Sequence, residues 1–295
     1  MTSTASLRSI AFTLFLMSLF AAAIKRYSSP IFTKTTSKPI TTRAMHIQSI
    51  PMWEGKGNNY AYLVSDDKTK EAVIIDPANP VEVIDHLKSK ISDGFKVSKI
   101  INTHHHHDHA GGNKEIQKSF NIPVIGGRDC DLVAETPGHN SKFSIGSINV
   151  TALHTPCHTQ DSICFFFEDG SDRAVFTGDT LFIGGCGRFF EGSPKEMHAA
   201  FKILGSLPDD TKVYPGHEYT KGNVKFAKTV LNNDAIKRLD EYSQANKETQ
   251  GKFTIGDEKQ HNVFMRTDDP ELQKVTGKTD PIDVMGALRS MKDNA

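Results

Sequence analysis

A chain of 295 residues with 37% hydrophobic and 24% charged content holds enough apolar material for one large core and an appended region, and has the composition of a soluble globular protein. Lys+Arg and Asp+Glu balance at 35 each, which leaves no polybasic footprint for nucleic acid. The four cysteines, Cys130, Cys157, Cys164 and Cys186, form no C-x-x-C pair, which argues against a zinc knuckle or disulfide scaffold and suits reduced intracellular thiols.

The charge balance hides an asymmetry. The first acidic residue is Glu54, whereas residues 1–44 carry six basic ones, Arg8, Lys25, Arg26, Lys34, Lys38 and Arg43. Taking those six from 35 leaves 29 basic against 35 acidic residues in the body. Residues 10–24 are an apolar run of 15, short of the roughly 20 that a membrane span needs, so no stable span is expected. The acid-free, Ser/Thr/Lys-rich stretch up to Arg43 has the make-up of a mitochondrial transit peptide, which would deliver the body to the matrix. Ala21-Ala22-Ala23 also offers a secretory cleavage site, and initiation at Met45 would give a cytoplasmic form. The mitochondrial reading is preferred.

From Met45 onward the pattern is that of sheets with helices outside them. Strands are predicted over 60–64 and 72–75, separated by the turn Ser65-Asp66-Asp67-Lys68. Asp76-Pro77 ends the second strand, where Asp76 suits a turn and a buttress for a nearby loop equally well. Asn79 and Pro80 open a helix as its cap and first residue. Val81, Ile84, Leu87 and Ile91, at steps of three and four, mark its buried face. His86 on that helix reads as a structural or surface residue.

The strand predicted over 97–101 is short, apolar and β-branched. It runs into Thr103-His104-His105-His106-His107-Asp108-His109-Ala110-Gly111-Gly112, and Gly111-Gly112-Asn113 leads to a helix start at Lys114. A tetra-histidine placed between a strand and a helix is not a terminal tag. Residues two apart in extended chain point the same way, so His104 and His106 can grip one cation while His105 and His107 face elsewhere. Further strands are predicted over 123–125, 143–145, 148–153, 163–167, 174–177 and 212–214, with a hairpin turn at Gly146-Ser147. His158, Asp179 and His217 each follow one of these strands, as the histidine cluster does. Loops at strand ends on one sheet edge are where sites form.

Counting donors gives the number of metals. A catalytic zinc takes three protein ligands and a water. His104, His106 and His158 fill one such site, and Asp108, His109 and His217 a second. Asp179, with two oxygens, is left to bridge. A pair of cations roughly 3.5–4 Å apart shares a hydroxide and polarises a carbonyl, and Asp108 and Asp179 are the catalytic carboxylates expected to hold it. The chemistry expected is hydrolysis by metal-bound hydroxide rather than by a serine or cysteine. An all-N/O donor set admits Zn, Fe or Mn, and two zinc ions per chain are expected. Cys157 beside His158 is no catalytic dyad, because neighbours in extended chain face opposite ways. Core packing is its expected role.

In the tail, 223–231 and 233–246 read as amphipathic helices. Asp280-Pro281 caps a last helix whose Ile282, Met285, Leu288 and Met291 form the expected buried face. Arg289 and Lys292 are neighbours on that helix. Taken alone, such a pair is a solvated basic face.

These motifs resemble those of a known family. The histidine run with His158, Asp179 and His217 is similar to the metallo-β-lactamase superfamily. The segments Thr155-Pro156-Cys157-His158-Thr159, Phe176-Thr177-Gly178-Asp179-Thr180-Leu181-Phe182 and Gly185-Cys186-Gly187-Arg188-Phe189-Phe190-Glu191-Gly192 resemble, more narrowly, the hydroxyacylglutathione hydrolases (glyoxalase II). So do Gly216-His217-Glu218-Tyr219-Thr220 and Asn262-Val263-Phe264-Met265-Arg266. The resemblance implies an α/β (α+β) fold, a four-layer αββα sandwich with a C-terminal helical domain. The resemblance runs from about residue 46 to residue 295, and after the targeting segment read over 1–44 its divisions would be a catalytic domain over 45–217 and a helical glutathione-binding domain over 218–295. It implies the same seven ligands and two divalent cations. The implied partner is a glutathione thioester, chiefly S-D-lactoylglutathione, cleaved to D-lactate and glutathione in methylglyoxal breakdown.

By position, Arg188, Phe190 and Tyr219 match residues that contact glutathione, and Arg289 and Lys292 match the basic pair that holds its glycine carboxylate. Phe190 departs from members with tyrosine there and can only pack; Val263 and His107 depart as well, without touching the ligand set. A thioester suits the residues, because a thiol of pKa about 8.5 leaves with little general-acid help. A monomer is expected. The rival readings are a one-iron glutathione persulfide dioxygenase of the same fold, a nuclease, and a metal-binding protein with a spent site. The acidic body disfavours the nuclease, and seven filled ligand positions disfavour the spent site.

Overall fold

A computed structural model describes residues 44–295; apart from Ala44, the leader expected over 1–44 lies outside the described residues. Six strands form the first sheet in sequential order: β1 (Met45–Met52), β2 (Asn59–Asp66), β3 (Glu71–Ile75), β4 (Lys96–Asn102), β5 (Val124–Gly126) and β6 (Val133–Glu135). The first three pair antiparallel and the rest parallel. Parallel neighbours need a crossover. Helix α1 (Pro80–Ser92) supplies it between β3 and β4; between β4 and β5 it is the single turn α2 (His107–Ala110) followed by α3 (Asn113–Phe120).

The second sheet contains β7 (Lys142–Ile145), β8 (Ile148–His154), β9 (Ile163–Asp169), β10 (Asp172–Gly178) and, after a two-strand hairpin of β11 (Leu181–Phe182) and β12 (Gly185–Cys186), β13 (Lys212–Pro215). Its spatial order is β13-β10-β9-β8-β7. Helix α4 (Pro194–Gly205) precedes β13. The tail adds α5 (Thr220–Val230), α6 (Asp234–Ala245), α7 (Ile255–His261), α8 (Pro270–Thr276) and α9 (Pro281–Asp293).

Side-chain alternation in the strands builds the layers. Tyr60, Tyr62 and Val64 of β2 meet Phe165 and Phe167 of β9 in the core between the sheets. Ala61 and Leu63 point the other way, under Val83 and Leu87 of α1 and Ile116 of α3. Cys164 and Phe166 face outward beneath Phe201 of α4, Val224 of α5 and Leu288 of α9. The result is the expected αββα sandwich. The tail helices share this third cluster with the outer face of the second sheet, and the described residues 44–295 belong to one unit.

Four expectations about elements need correction. The edge strand β1 was not predicted, since Pro51 and the polar Gln48-Ser49 weaken its pattern; at a sheet edge proline is tolerated. On α1 the buried residues are Val83 and Leu87, while Val81 is 84% exposed and Ile91 42%. On α9 the buried residues are Val284, Met285, Leu288 and Arg289, and Met291 is exposed. Both helices offer more apolar positions than one face can cover, and the sheet beneath selects among them. Helix α4, also absent from the predicted elements, starts on a capping box in which Ser193 and Glu196 bond to each other's backbone.

Candidate metal centre

The carboxyl ends of β4, β8, β10 and β13 bring the seven expected donors together. His104 Nε2 stands 3.2 Å from His106 Nδ1, which is 3.1 Å from His158 Nε2. His109 Nε2 lies 3.3 Å from His217 Nε2, and Asp108 Oδ2 lies 3.3 Å from the same His217 atom. Asp179 sits between the two groups. Its Oδ2 is 3.4 Å from His158 Nε2 and 3.3 Å from His217 Nε2, and its Oδ1 is 3.3 Å from His109 Nε2. Three sets, His104/His106/His158, His104/His109/Asp179 and Asp108/His109/His217, each keep their donor atoms within 4.8 Å of one another. His105 and His107 do turn elsewhere; His107 is exposed.

The outward nitrogens explain the inward ones. His158 Nδ1 lies 2.9 Å from the Arg188 carbonyl, His217 Nδ1 2.9 Å from the Gly57 carbonyl, and His109 Nδ1 3.0 Å from Asp76 Oδ2. His104 Nδ1 lies 3.1 Å from the Thr103 hydroxyl. An imidazole that donates through one nitrogen turns a bare lone pair inward through the other, which is how metal-binding histidines are held. The tautomers follow from these partners. Asp179 Oδ1 is buried without a hydrogen bond, as a carboxylate shaped for a cation would be. Residue types, spacing and outer partners all fit two divalent cations.

Asp76 is a buttress. Its left-handed backbone (φ 47°) turns the carboxylate under the histidine loop, where it accepts from Thr103 N–H at 2.8 Å, from the Thr103 hydroxyl at 2.7 Å and from His109. Two supports were not visible in the sequence. Asn59, at the start of β2, donates from Nδ2 to the Asp108 carbonyl (2.9 Å) and to Asp108 Oδ2 (3.1 Å). Glu218, beside His217, accepts from Thr249 N–H (2.7 Å) and the Tyr60 hydroxyl (3.1 Å), fixing the start of the tail to the first sheet. Gly216 is needed for closeness: a Cβ there would lie 2.5 Å from Asp179 Oδ1 and 2.6 Å from His109 Cε1.

The two halves of the cluster differ in what surrounds their imidazoles. Burial drives the pKa of His104, His106 and His158 down, so that trio is neutral. Burial works the same way on His109 and His217, but there carboxylates outweigh it. Asp179 and Asp76 push His109 well above the ordinary histidine value, and Asp179 and Asp108 raise His217 to about 9. Burial of Asp179 and Asp108 favours their neutral forms. The histidines beside them win, and both carboxyls fall below the usual carboxylate range.

His158 and Asp179 form part of the floor of a cavity of about 1240 Å³. Arg188, Phe190, Tyr219, Arg289 and Lys292 line its walls. Tyr219 stacks on His217 at 4.5 Å, and Phe190, 62% exposed, sits 5.2 Å from His158. Arg289 is buried, donating to the Cys186 carbonyl (3.0 Å) and to Asp293 (2.7 Å), which also pairs with Arg188 at 3.3 Å. Lys292 donates to Asn223 Oδ1, and burial lowers its pKa to about 8. The pair is therefore no solvated face. Burial pushes the Cys157 thiol up to about 12, and its Sγ contacts the Ser193 carbonyl at 3.4 Å, so it packs as expected.

A four-layer αββα sandwich with His and Asp donors gathered at its strand ends defines a metallo-β-lactamase fold with a dinuclear site, and residues 55–217 match the family profile "Metallo-beta-lactamase superfamily". Residues 218–295 match "Hydroxyacylglutathione hydrolase C-terminus". The chain belongs to the hydroxyacylglutathione hydrolase family of enzymes. It is 50% identical over 255 residues to a probable hydroxyacylglutathione hydrolase of Schizosaccharomyces pombe, covering 85% of this chain and all of that one. In Saccharomyces cerevisiae it is 43% identical to the cytoplasmic isozyme (84% of this chain, 99% of that one) and 39% to the mitochondrial enzyme (80% and 90%). The crystal structure of ETHE1 from Myxococcus xanthus superposes with a TM-score of 0.59 at 26% identity, over 83% of this chain and 90% of that one.

Proposed function

We propose that this chain hydrolyses S-(2-hydroxyacyl)glutathione thioesters, chiefly S-D-lactoylglutathione, to D-lactate and glutathione. One observation carries the reading: a single cavity has two of the donors, His158 and Asp179, at its floor and the buried Arg289 with the half-buried Lys292 on its wall. That spacing of reactive floor and anion-binding wall suits a small peptide thioester with a terminal carboxylate. The donor set is assigned as His104, His106 and His158 for one cation, Asp108, His109 and His217 for the other, with Asp179 between. Two zinc ions bound there would supply an activated water and a polarised carbonyl.

The remaining roles belong to side chains. Asp108 and Asp179, ionised at neutral pH, orient the attacking water. Arg289, Lys292 and Arg188 hold the glycine carboxylate of glutathione. Tyr219, whose pKa burial and then Asp179 raise to about 12, keeps its proton and donates it in a hydrogen bond to the tripeptide. Phe190 packs against the tripeptide without a hydroxyl contact. The departing thiolate needs little protonation. A one-iron dioxygenase leaves the Asp108/His109/His217 group without a task. The leader is read as mitochondrial, with the mitochondrial relative in support, and the chain acts as a monomer.

The test compares S-lactoylglutathione with the lactoyl thioester of N-acetylcysteamine, using purified residues 45–295. We expect kcat/KM at least about 100-fold higher for the glutathione ester, the scale of two charged hydrogen bonds of about 1.5–3 kcal/mol each. Equal rates would overturn the glutathione assignment.

A further inference from the structure

His105 lies inside the metal loop yet contributes nothing to the seven donors. Its Nδ1 is 2.8 Å from Oδ1 of Asp161, a carboxylate whose side chain is wholly buried. The same oxygen accepts from the Thr159 hydroxyl at 2.7 Å, and Cys130 Sγ approaches the other oxygen at 3.7 Å. Gly127 backs the carboxylate so closely that a Cβ there would collide with it. A buried charge is costly unless it is paired and bonded, so this pocket is built around Asp161, and His105 closes it.

The consequence lies in which loops are joined. His104 and His106 follow β4 of the first sheet, whereas His158 belongs to the turn between β8 and β9 of the second. Among the described residues no strand of one sheet pairs with a strand of the other. A backbone bond from Ile163 N–H to the Thr103 carbonyl, at 2.8 Å, links the loops at one point. One point leaves a pivot; the His105–Asp161 bond supplies a second and fixes the angle. Beyond it, His105 Nε2 is 3.7 Å from Glu191, whose carboxylate accepts from Gln160 N–H at 2.6 Å. The tie thereby reaches the loop bearing Arg188 and Phe190.

We propose that His105, gripped by Asp161, is a positioning residue that holds His158 in register with His104 and His106. The proposal rests on the dinuclear reading above and concerns only the first trio of donors. His105→Leu removes the donor. His105→Asn restores one, since its Nδ2 takes the place of Nδ1. Asp161→Asn keeps the shape and removes the charge. Each protein is titrated with zinc against a chromophoric chelator, which separates the two binding steps, and the absorption spectrum of the cobalt form reports ligand geometry. Near-UV circular dichroism checks folding.

In His105→Leu we expect one step to weaken about 10- to 100-fold, the range for losing an outer partner of a metal ligand, while the other stays within about threefold. The cobalt spectrum should shift, and His105→Asn should return both steps to within about threefold of the parent. The double variant His105→Leu/Asp161→Asn should be no weaker than the worse single change, because the two act as one unit. Equal loss at both steps, no loss at either, no recovery with Asn, or additive losses would overturn the proposal. So would a third zinc in the parent that vanishes with His105, since Asp129 also lies within reach of this pair. A parent chain that binds no zinc pair sinks the dinuclear reading instead, and the two failures are distinguishable.

Discussion

In the donor cluster that underlies the floor of the cavity, His104, His109, His158 and His217 each carry two contacts, one nitrogen turned to the cluster and the other tied to a backbone carbonyl or a buried side chain. On its wall, Phe190 and Arg188 stand largely in solvent, Arg188 paired with Asp293 at the surface, whereas Arg289 and Lys292 are drawn inward by partners at the end of the last helix. The floor is built where four strands stop, so its geometry comes with the sandwich itself. The wall comes from a loop and from helix surfaces, where a side chain can change without disturbing the sheets. The floor thus governs whether chemistry happens, and the wall governs which molecule is held there. Replacing a floor residue should abolish turnover, and replacing a wall residue should raise KM.

Ways to break that contrast can be ranked. Asp179→Asn should lower kcat about a thousandfold, the equivalent of several kcal/mol of charge stabilisation, and should reduce the metal counted per chain. Retained metal with full turnover would remove Asp179 from the floor. Lys292→Met should raise KM for S-lactoylglutathione about 10- to 100-fold with kcat within about twofold and both metals in place. A fall in kcat alone would move Lys292 out of the wall.

The same lysine gives a pH signature. Its charge is lost as pH rises through about 8, so KM should climb above that value and stay flat in Lys292→Met. Because the folded pKa lies below the ordinary lysine value of 10.5, the unfolded chain binds more protons between about 8 and 10.5. Stability contributed by this group should therefore rise with pH across that window, and the slope should vanish in the methionine variant. Urea midpoints at several pH values would measure it. Asn59→Ala should weaken one metal step about 10- to 100-fold through Asp108, as zinc titration would reveal. The smallest effect is expected from Cys157→Ala, which should leave kcat within about twofold; a large loss would revive a thiol nucleophile.

The seven donors were legible because each stands just past an apolar, β-branched or aromatic strand, and because their order and spacing repeat a known pattern. The sandwich was legible from the same strands. What escaped depends on contacts between distant segments. Asp76 could be a turn residue or a buttress in sequence terms, and only its left-handed backbone and the return of Thr103 beside it decide the matter. Asn59 is a lone amide at a strand start, with no periodicity to mark it. Val81 and Ile91 continue the helical stripe of the buried Leu87 and half-buried Ile84, so spacing alone did not show that the ends of that stripe stay in solvent while Val83 is buried. On α9 the inward face includes Val284 and Arg289, and the bond from Arg289 to the Cys186 carbonyl is a contact that hydropathy does not register.

The most direct test of the whole account is hydrolysis of S-lactoylglutathione by residues 45–295 before and after complete removal of metal, with the ions counted per chain. The account predicts that activity falls to background on removal and returns as two zinc ions per chain are restored. Hydrolysis that proceeds undiminished in the metal-free protein would contradict it.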